Sequence, residues 1–240
     1  MSGPGDLSYA QARIQSRHGQ RPDEALWARL DASKSLARYL DDAAGTALER
    51  WTRALDARLS TRELEVTLRR SFRAYAADLA SWLPDRWRAG VSWAASLVDL
   101  PLVEAMDARA RARWAEEDPD LVLLADVLPA GDGPILASWT RRQRDLWPRI
   151  SSAERVALAE LESLLQHHDQ AARAAAAHAE GESWRLRREL AVDVSRHFRR
   201  HPEPPSSALA HLLLVAIDLE RLRSALLTRA LFGPDRGEAS

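Results

Sequence analysis

Histidines, carboxylates and arginines are the residue types in this chain that could do chemistry, so their spacing comes first. His197 and His201 stand four residues apart, the spacing of paired zinc ligands on one helix face. Arg199 and Arg200 lie between them and Pro202 follows, an electropositive setting at a fraying helix end where no metal is expected. His167 and His168 are adjacent and would point about 100 degrees apart on a helix, too divergent to grip one ion. His211 falls in an apolar segment and reads as a satisfied buried histidine. No glutamate has a histidine three residues later, as a di-iron helical bundle requires. Gly131-Asp-Gly133 lacks the third glycine and the lysine of a phosphate-cradling loop, and no Gly-x-Ser-x-Gly elbow occurs. With no cysteine there is neither a thiolate nucleophile nor a disulfide. The expectation is a chain with no catalytic residue, no cofactor and no metal, working through surfaces.

Two features could make such surfaces. Arg185 and Arg196, like Arg188 and Arg199, are eleven residues apart, which closes three helical turns and lines the four up as one stripe, widened by Arg187 and Arg200. Basic residues also gather at a helix C-terminus because the dipole favours them there. The other use of the stripe is contact with an acidic partner or anionic lipid head groups. Trp87 and Trp93, two of nine tryptophans, are six apart on one helix and face different sides, so one is expected in the core and the other at an interface. The carboxylates mostly stand four residues from an arginine, the pattern of a solvated helix face.

The elements that must carry these residues are all helices. Apolar residues at three- and four-residue intervals, with proline and glycine at the breaks, predict helices over 7–18, 22–32, 35–43, 46–59, 62–82, 84–98, 101–116, 119–125, 135–147, 152–200 and 207–232. Ser60-x-x-Glu63 and Ser151-x-x-Glu154 read as capping boxes. Leu64, Leu68, Phe72, Tyr75, Leu79 and Trp82 trace one apolar stripe, with Arg62, Glu65, Arg69 and Arg73 on the opposite side. Leu158, Leu161, Leu165, His168, Ala172, Ala175 and Ala179 make a second stripe, and Gly181 offers a kink. The turn cluster Leu128 to Pro134 suggests two helical units, 1–130 and 131–240, the second holding a long helix of about 152–200 and a closing helix of about 207–232.

Composition agrees with a globular chain, 46% hydrophobic and 29% charged over 240 residues. A formal charge of −1 leaves no cationic excess for nucleic acid. The first residues lack the basic and apolar pattern of a signal peptide, and the most apolar run, Leu212 to Ile217, is far short of the roughly twenty residues of a spanning helix. A cytoplasmic protein is expected.

The two ends of the chain resemble subunit d of the V-type rotary ATPases and its counterpart in the archaeal-type enzymes. Tyr9-Ala-Gln-Ala12-Arg13-Ile14 is similar to that family's opening helix, and His211-Leu-Leu, Asp218-Leu219 and Leu222-Arg223 to its closing one. His211 stands where the family has an aromatic residue, Asp218 where it has a glutamate, and the chain is shorter than ordinary members. The resemblance implies helical modules around a funnel-like hollow. It also implies a non-catalytic role: coupling the central rotor shaft to the membrane rotor ring during ion transport, peripheral to the cytoplasmic face through protein contacts. Tyr9, Arg13, Asp218 and Arg223 would then be structural motif residues, and Asp218 and Arg223, roughly 140 degrees apart, would hold different neighbours. The alternatives are a free-standing helical scaffold or regulator that binds an acidic protein through the arginine stripe, and a helical enzyme with an unrecognised site.

Overall fold

The computed structural model describes residues 4–128, 134–147, 150–176 and 182–233. Its elements, in chain order, are α1 (Pro4–Gly19), α2 (Glu24–Asp31), α3 (Leu36–Ala43), α4 (Glu49–Thr52), α5 (Thr61–Ser81), α6 (Asp85–Trp93), a 3-10 segment (Ala94–Asp99), α7 (Leu100–Glu104), α8 (Ala108–Glu117), α9 (Pro119–Val127), α10 (Ile135–Asp145), α11 (Ser152–Ala176), α12 (Glu182–Arg200) and α13 (Ser206–Phe232). The fold is all-α, with no strand among the described residues. None of its described helices is long and apolar enough to cross a membrane.

α13 is the organising element. Its residues from Ser206 to Val215 are buried without a polar face, as a helix apolar all round must be. α1, α3, α5, α11, α12 and the 3-10 segment all pack against it. Buried residues from Ala10 to Leu226 form one contiguous core. The unit boundary expected near residue 130 lies outside the described residues, as does Gly181.

α5 starts at a complete capping box: Glu63 N donates to Ser60 Oγ at 3.2 Å and Ser60 N to Glu63 Oε2 at 2.7 Å. Loss of a serine N-cap leaves a helix-end amide unsatisfied. Ser60→Ala is accordingly expected to lower stability by about 1 kcal/mol, checked by urea denaturation against wild type.

Three predicted helices are corrected. Residues 46–59 form only the single turn of α4, because Thr46 Oγ1 and Asp56 Oδ1 accept local backbone amides, from Leu48 at 3.1 Å and Arg58 at 2.8 Å, and so compete with helix. Residues 101–116 split because Asp107 caps a new helix by accepting from Ala110 N. The expected long helix over 152–200 is two helices, α11 and α12, packed antiparallel: Glu160 near the start of α11 meets His201 just past the end of α12. The C-terminal part is therefore a three-helix packing of α11, α12 and α13, where one long helix and a closing helix were expected.

Candidate functional site

The motif-bearing ends of the chain meet. Arg21, just after α1, donates to both oxygens of Asp218 on α13, Nε at 2.7 Å and Nη2 at 3.0 Å, a bidentate pair closing 197 residues of chain. Arg221 spans Glu24 at 3.0 Å and Asp31 at 3.4 Å and lies over the Trp27 ring. Arg229 donates to the carbonyls of Leu30, Asp31 and Ser33 around the end of α2, where carbonyls run out of partners within the helix. Arg223 instead turns to Glu65 of α5, with Nε at 2.7 Å, so Asp218 and Arg223 do hold different neighbours. On α1, Arg13 donates to the exposed Tyr9 hydroxyl at 2.8 Å and stacks over the Trp82 ring at 4.1 Å.

Beneath this seam lies a histidine and aromatic cluster. His211 is buried, and the Tyr75 hydroxyl lies 2.6 Å from its Nε2. Burial pushes the Tyr75 hydroxyl up to about 12 and His211 down to about 3, the latter helped by the charges of His18, Arg21 and Arg17. A neutral tyrosine and a neutral imidazole therefore share one hydrogen bond, whose direction follows the imidazole tautomer. His18 stacks on Phe198 at 4.0 Å and is lowered to about 4 by burial and then by Arg21 and Arg199.

Of two cavities lined by described residues, the polar one adjoins the cluster at Tyr75. The polar one, of about 460 Å³, is lined by Arg17, Arg21, Arg50 and Arg53, with Glu49 and Asp218 offsetting part of their charge. A mainly apolar one of about 360 Å³ lies between α5, α7, α10, α11, α12 and α13, with Arg187, Glu220 and Arg223 among its polar lining. One turn of a helix about 10–12 Å across and 5.4 Å high fills roughly 400–600 Å³. Each is of the order of one such turn, smaller than a shaft of paired helices.

The surface candidates separate. Trp87 is corrected to a core residue: it is 1% exposed and cannot offer a contact surface. Trp93 is half-buried, and its indole Nε1 donates to the Trp139 carbonyl at 3.3 Å. Arg185, Arg188, Arg196 and Arg199 are carried on one face of α12, with Arg196 and Arg199 exposed near its end. Local carboxylates offset part of the charge: Glu189 accepts from Arg185 at 2.5 Å and Asp193 from Arg196 at 2.8 Å. Arg188 and Arg199 have no carboxylate partner among the described residues.

The arginine face of α5 is also corrected, because it is not solvated. Asp99, at the end of the 3-10 segment, and Asp118, between α8 and α9, are 2% and 1% exposed and lie against it. Arg73 donates to Asp118 at 2.7 Å and to Asp99 at 3.1 Å; Arg69 reaches both at 3.4–3.5 Å. Burial resists the charge on Asp118, but Arg73's hydrogen bond and charge hold its carboxyl below the usual range. For Asp99 burial prevails over the same arginines and raises it to about 6. The i to i+4 spacing of Glu65 and Arg69 reads alike on a wet or a buried helix, so the sequence carries no signal for this network.

Among the described residues, one group of side chains could hold a metal: Glu160, His197 and His201, whose ligand atoms lie within 4.8 Å of one another. The histidine spacing was legible in the sequence; the carboxylate comes from α11, 37 residues before His197. No family model, curated protein or solved structure matches the chain.

Proposed function

We propose that this chain is a non-catalytic adaptor of a V-type rotary ATPase, coupling the central shaft to the membrane rotor ring from its cytoplasmic side. The observation that carries the proposal is the closure of the motif-bearing ends, made by the Arg21–Asp218 pair. The pair ties the segment after α1 to α13, against which α1 also packs, and a stiff unit is what torque transmission needs. The exposed apolar residues Leu123, Val127, Val192 and Phe232 and the stripe arginines Arg188 and Arg199 supply outer contact surface. Ring and shaft proteins would dock on these outer surfaces.

A second function is favoured by the lack of carboxylate partners for Arg188 and Arg199 among the described residues: a soluble scaffold that binds an acidic protein through α12. Affinity purification of the tagged chain from detergent-solubilised native membranes separates the two. The adaptor is expected to bring rotor-ring and shaft proteins with it, and recovery of no ATPase component overturns that assignment. An acidic soluble partner recovered instead, and lost in Arg188→Glu with Arg199→Glu, would establish the scaffold; such binding should also weaken as salt is raised.

A further inference from the structure

We infer that Glu160, His197 and His201 form a zinc site that pins α11 to the junction of α12 and α13. Glu160 Oε2 lies 2.9 Å from His201 Nε2 and 3.8 Å from His197 Nδ1. Ligands held tetrahedrally about 2.0–2.1 Å from a zinc ion stand about 3.3 Å apart, midway between those two separations. All three ligand atoms lie within 4.8 Å of one another, so drawing them into a coordination shell takes rotation of side chains and no movement of a helix. Two imidazoles and one carboxylate are a donor set that zinc favours over the hard cations magnesium and calcium.

The site is built as well as assembled. His197 is buried, and its Nε2 lies 2.8 Å from the hydroxyl of Ser206, itself buried at the first turn of α13. With the Nε2 proton donated to that oxygen, the Nδ1 lone pair faces Glu160; an outer partner of this kind orients a metal-bound histidine and selects its tautomer. His201 follows α12 by one residue but stays in helical register, its amide donating to the His197 carbonyl at 2.9 Å, so both rings share a face with centroids 4.6 Å apart. Arg200 Nη1 lies 3.7 Å from Glu160, yet its side chain is largely exposed and can turn into solvent as a cation enters. Three protein ligands leave a fourth position for water or for a donor from another molecule. The ion would join α11 to the end of α12, with Ser206 of α13 as the outer partner of His197.

The test uses the full chain without a histidine tag, stripped with a chelator and titrated with zinc chloride by calorimetry. Wild type is expected to take up a single ion per chain. Glu160→Gln and His201→Gln should each weaken uptake by about tenfold or more, since loss of an outer partner alone typically reaches that range. Both replaced side chains are partly exposed, so these variants should remain folded, checked by circular dichroism. Cobalt provides a readout that needs no variant: the wild type should show the intense visible absorption of a four-coordinate ion, bleached by added zinc. Absence of zinc uptake and of that absorption overturns the site. Uptake undiminished in both variants also overturns it, because the ion would then sit elsewhere.

Discussion

Asp118→Ala is expected to destabilise the protein by about 3–5 kcal/mol, the usual effect of removing one partner from a buried ion pair. Asp118 accepts from both Arg73 nitrogens, at 2.7 and 3.0 Å, and lies 3.4 Å from Arg69. Without it, Asp99 is the one buried carboxylate among the described residues left near both guanidinium groups, with Glu65 3.9 Å from Arg69 at the edge of the network. The exposed Asp120, 3.6 Å from Arg73, replaces little of the lost interaction. For a chain of this size the loss corresponds to a fall in Tm of roughly 6–20 °C. A double variant, Asp118→Leu with Arg73→Met, should recover part of it, because an apolar pair of similar volume escapes the desolvation that both charges suffer. Thermal denaturation of the three proteins decides the matter: a single variant within about 0.5 kcal/mol of wild type would mean that the network carries no net stability.

His211 is expected to account for about 2 kcal/mol of the stability lost between pH 7 and pH 5. Its folded value of about 3 lies well below the ordinary 6.5. Below pH 6.5 the unfolded chain therefore binds a proton that the folded one refuses, and the balance tips towards unfolding as the pH drops towards the folded value. The groups that face His211 are Tyr75 and His18, largely neutral in this range, and Arg17 and Arg21, whose charges oppose its protonation. His18 and, in metal-free protein, His197 are each lowered to about 4 and act in the same direction. Asp99 acts in the opposite one: raised to about 6 from 3.8, it takes up a proton in the folded state first and restores a little over 1 kcal/mol. These other groups remain in His211→Gln, so the variant should still lose stability on acidification, but by about 2 kcal/mol less than wild type. Urea midpoints at both pH values, in chelator, measure the difference. A slope unchanged from wild type would exclude His211 as a source of it.

Several elements could be read directly from residue order, because they depend on neighbours within one turn. The Ser60–Glu63 box starts α5 where its spacing says it should, and the apolar stripe from Leu64 to Leu79 is buried along its length. All-α architecture follows from the same local periodicity, repeated in nearly every segment. Where local signals conflict, periodicity misleads: Thr46 and Asp56 give the backbone other hydrogen-bond partners, and 46–59 becomes turns around α4.

Spacing along one helix gives the direction of a side chain but not what stands opposite it, and that is where tertiary structure decided. Trp87 and Trp93 lie on different sides of one helix by their spacing, yet only packing showed that Trp87 is the core residue. Arg69 and Arg73 form a polar stripe on α5, and whether water or Asp99 and Asp118 covers it depends on how α8 and α9 come to rest. The union of Arg21 with Asp218 and of Glu160 with His197 and His201 likewise required the whole fold. Helix propensity and capping act over three or four residues, whereas the charges and metal-capable donors of this chain find partners dozens to nearly two hundred residues away.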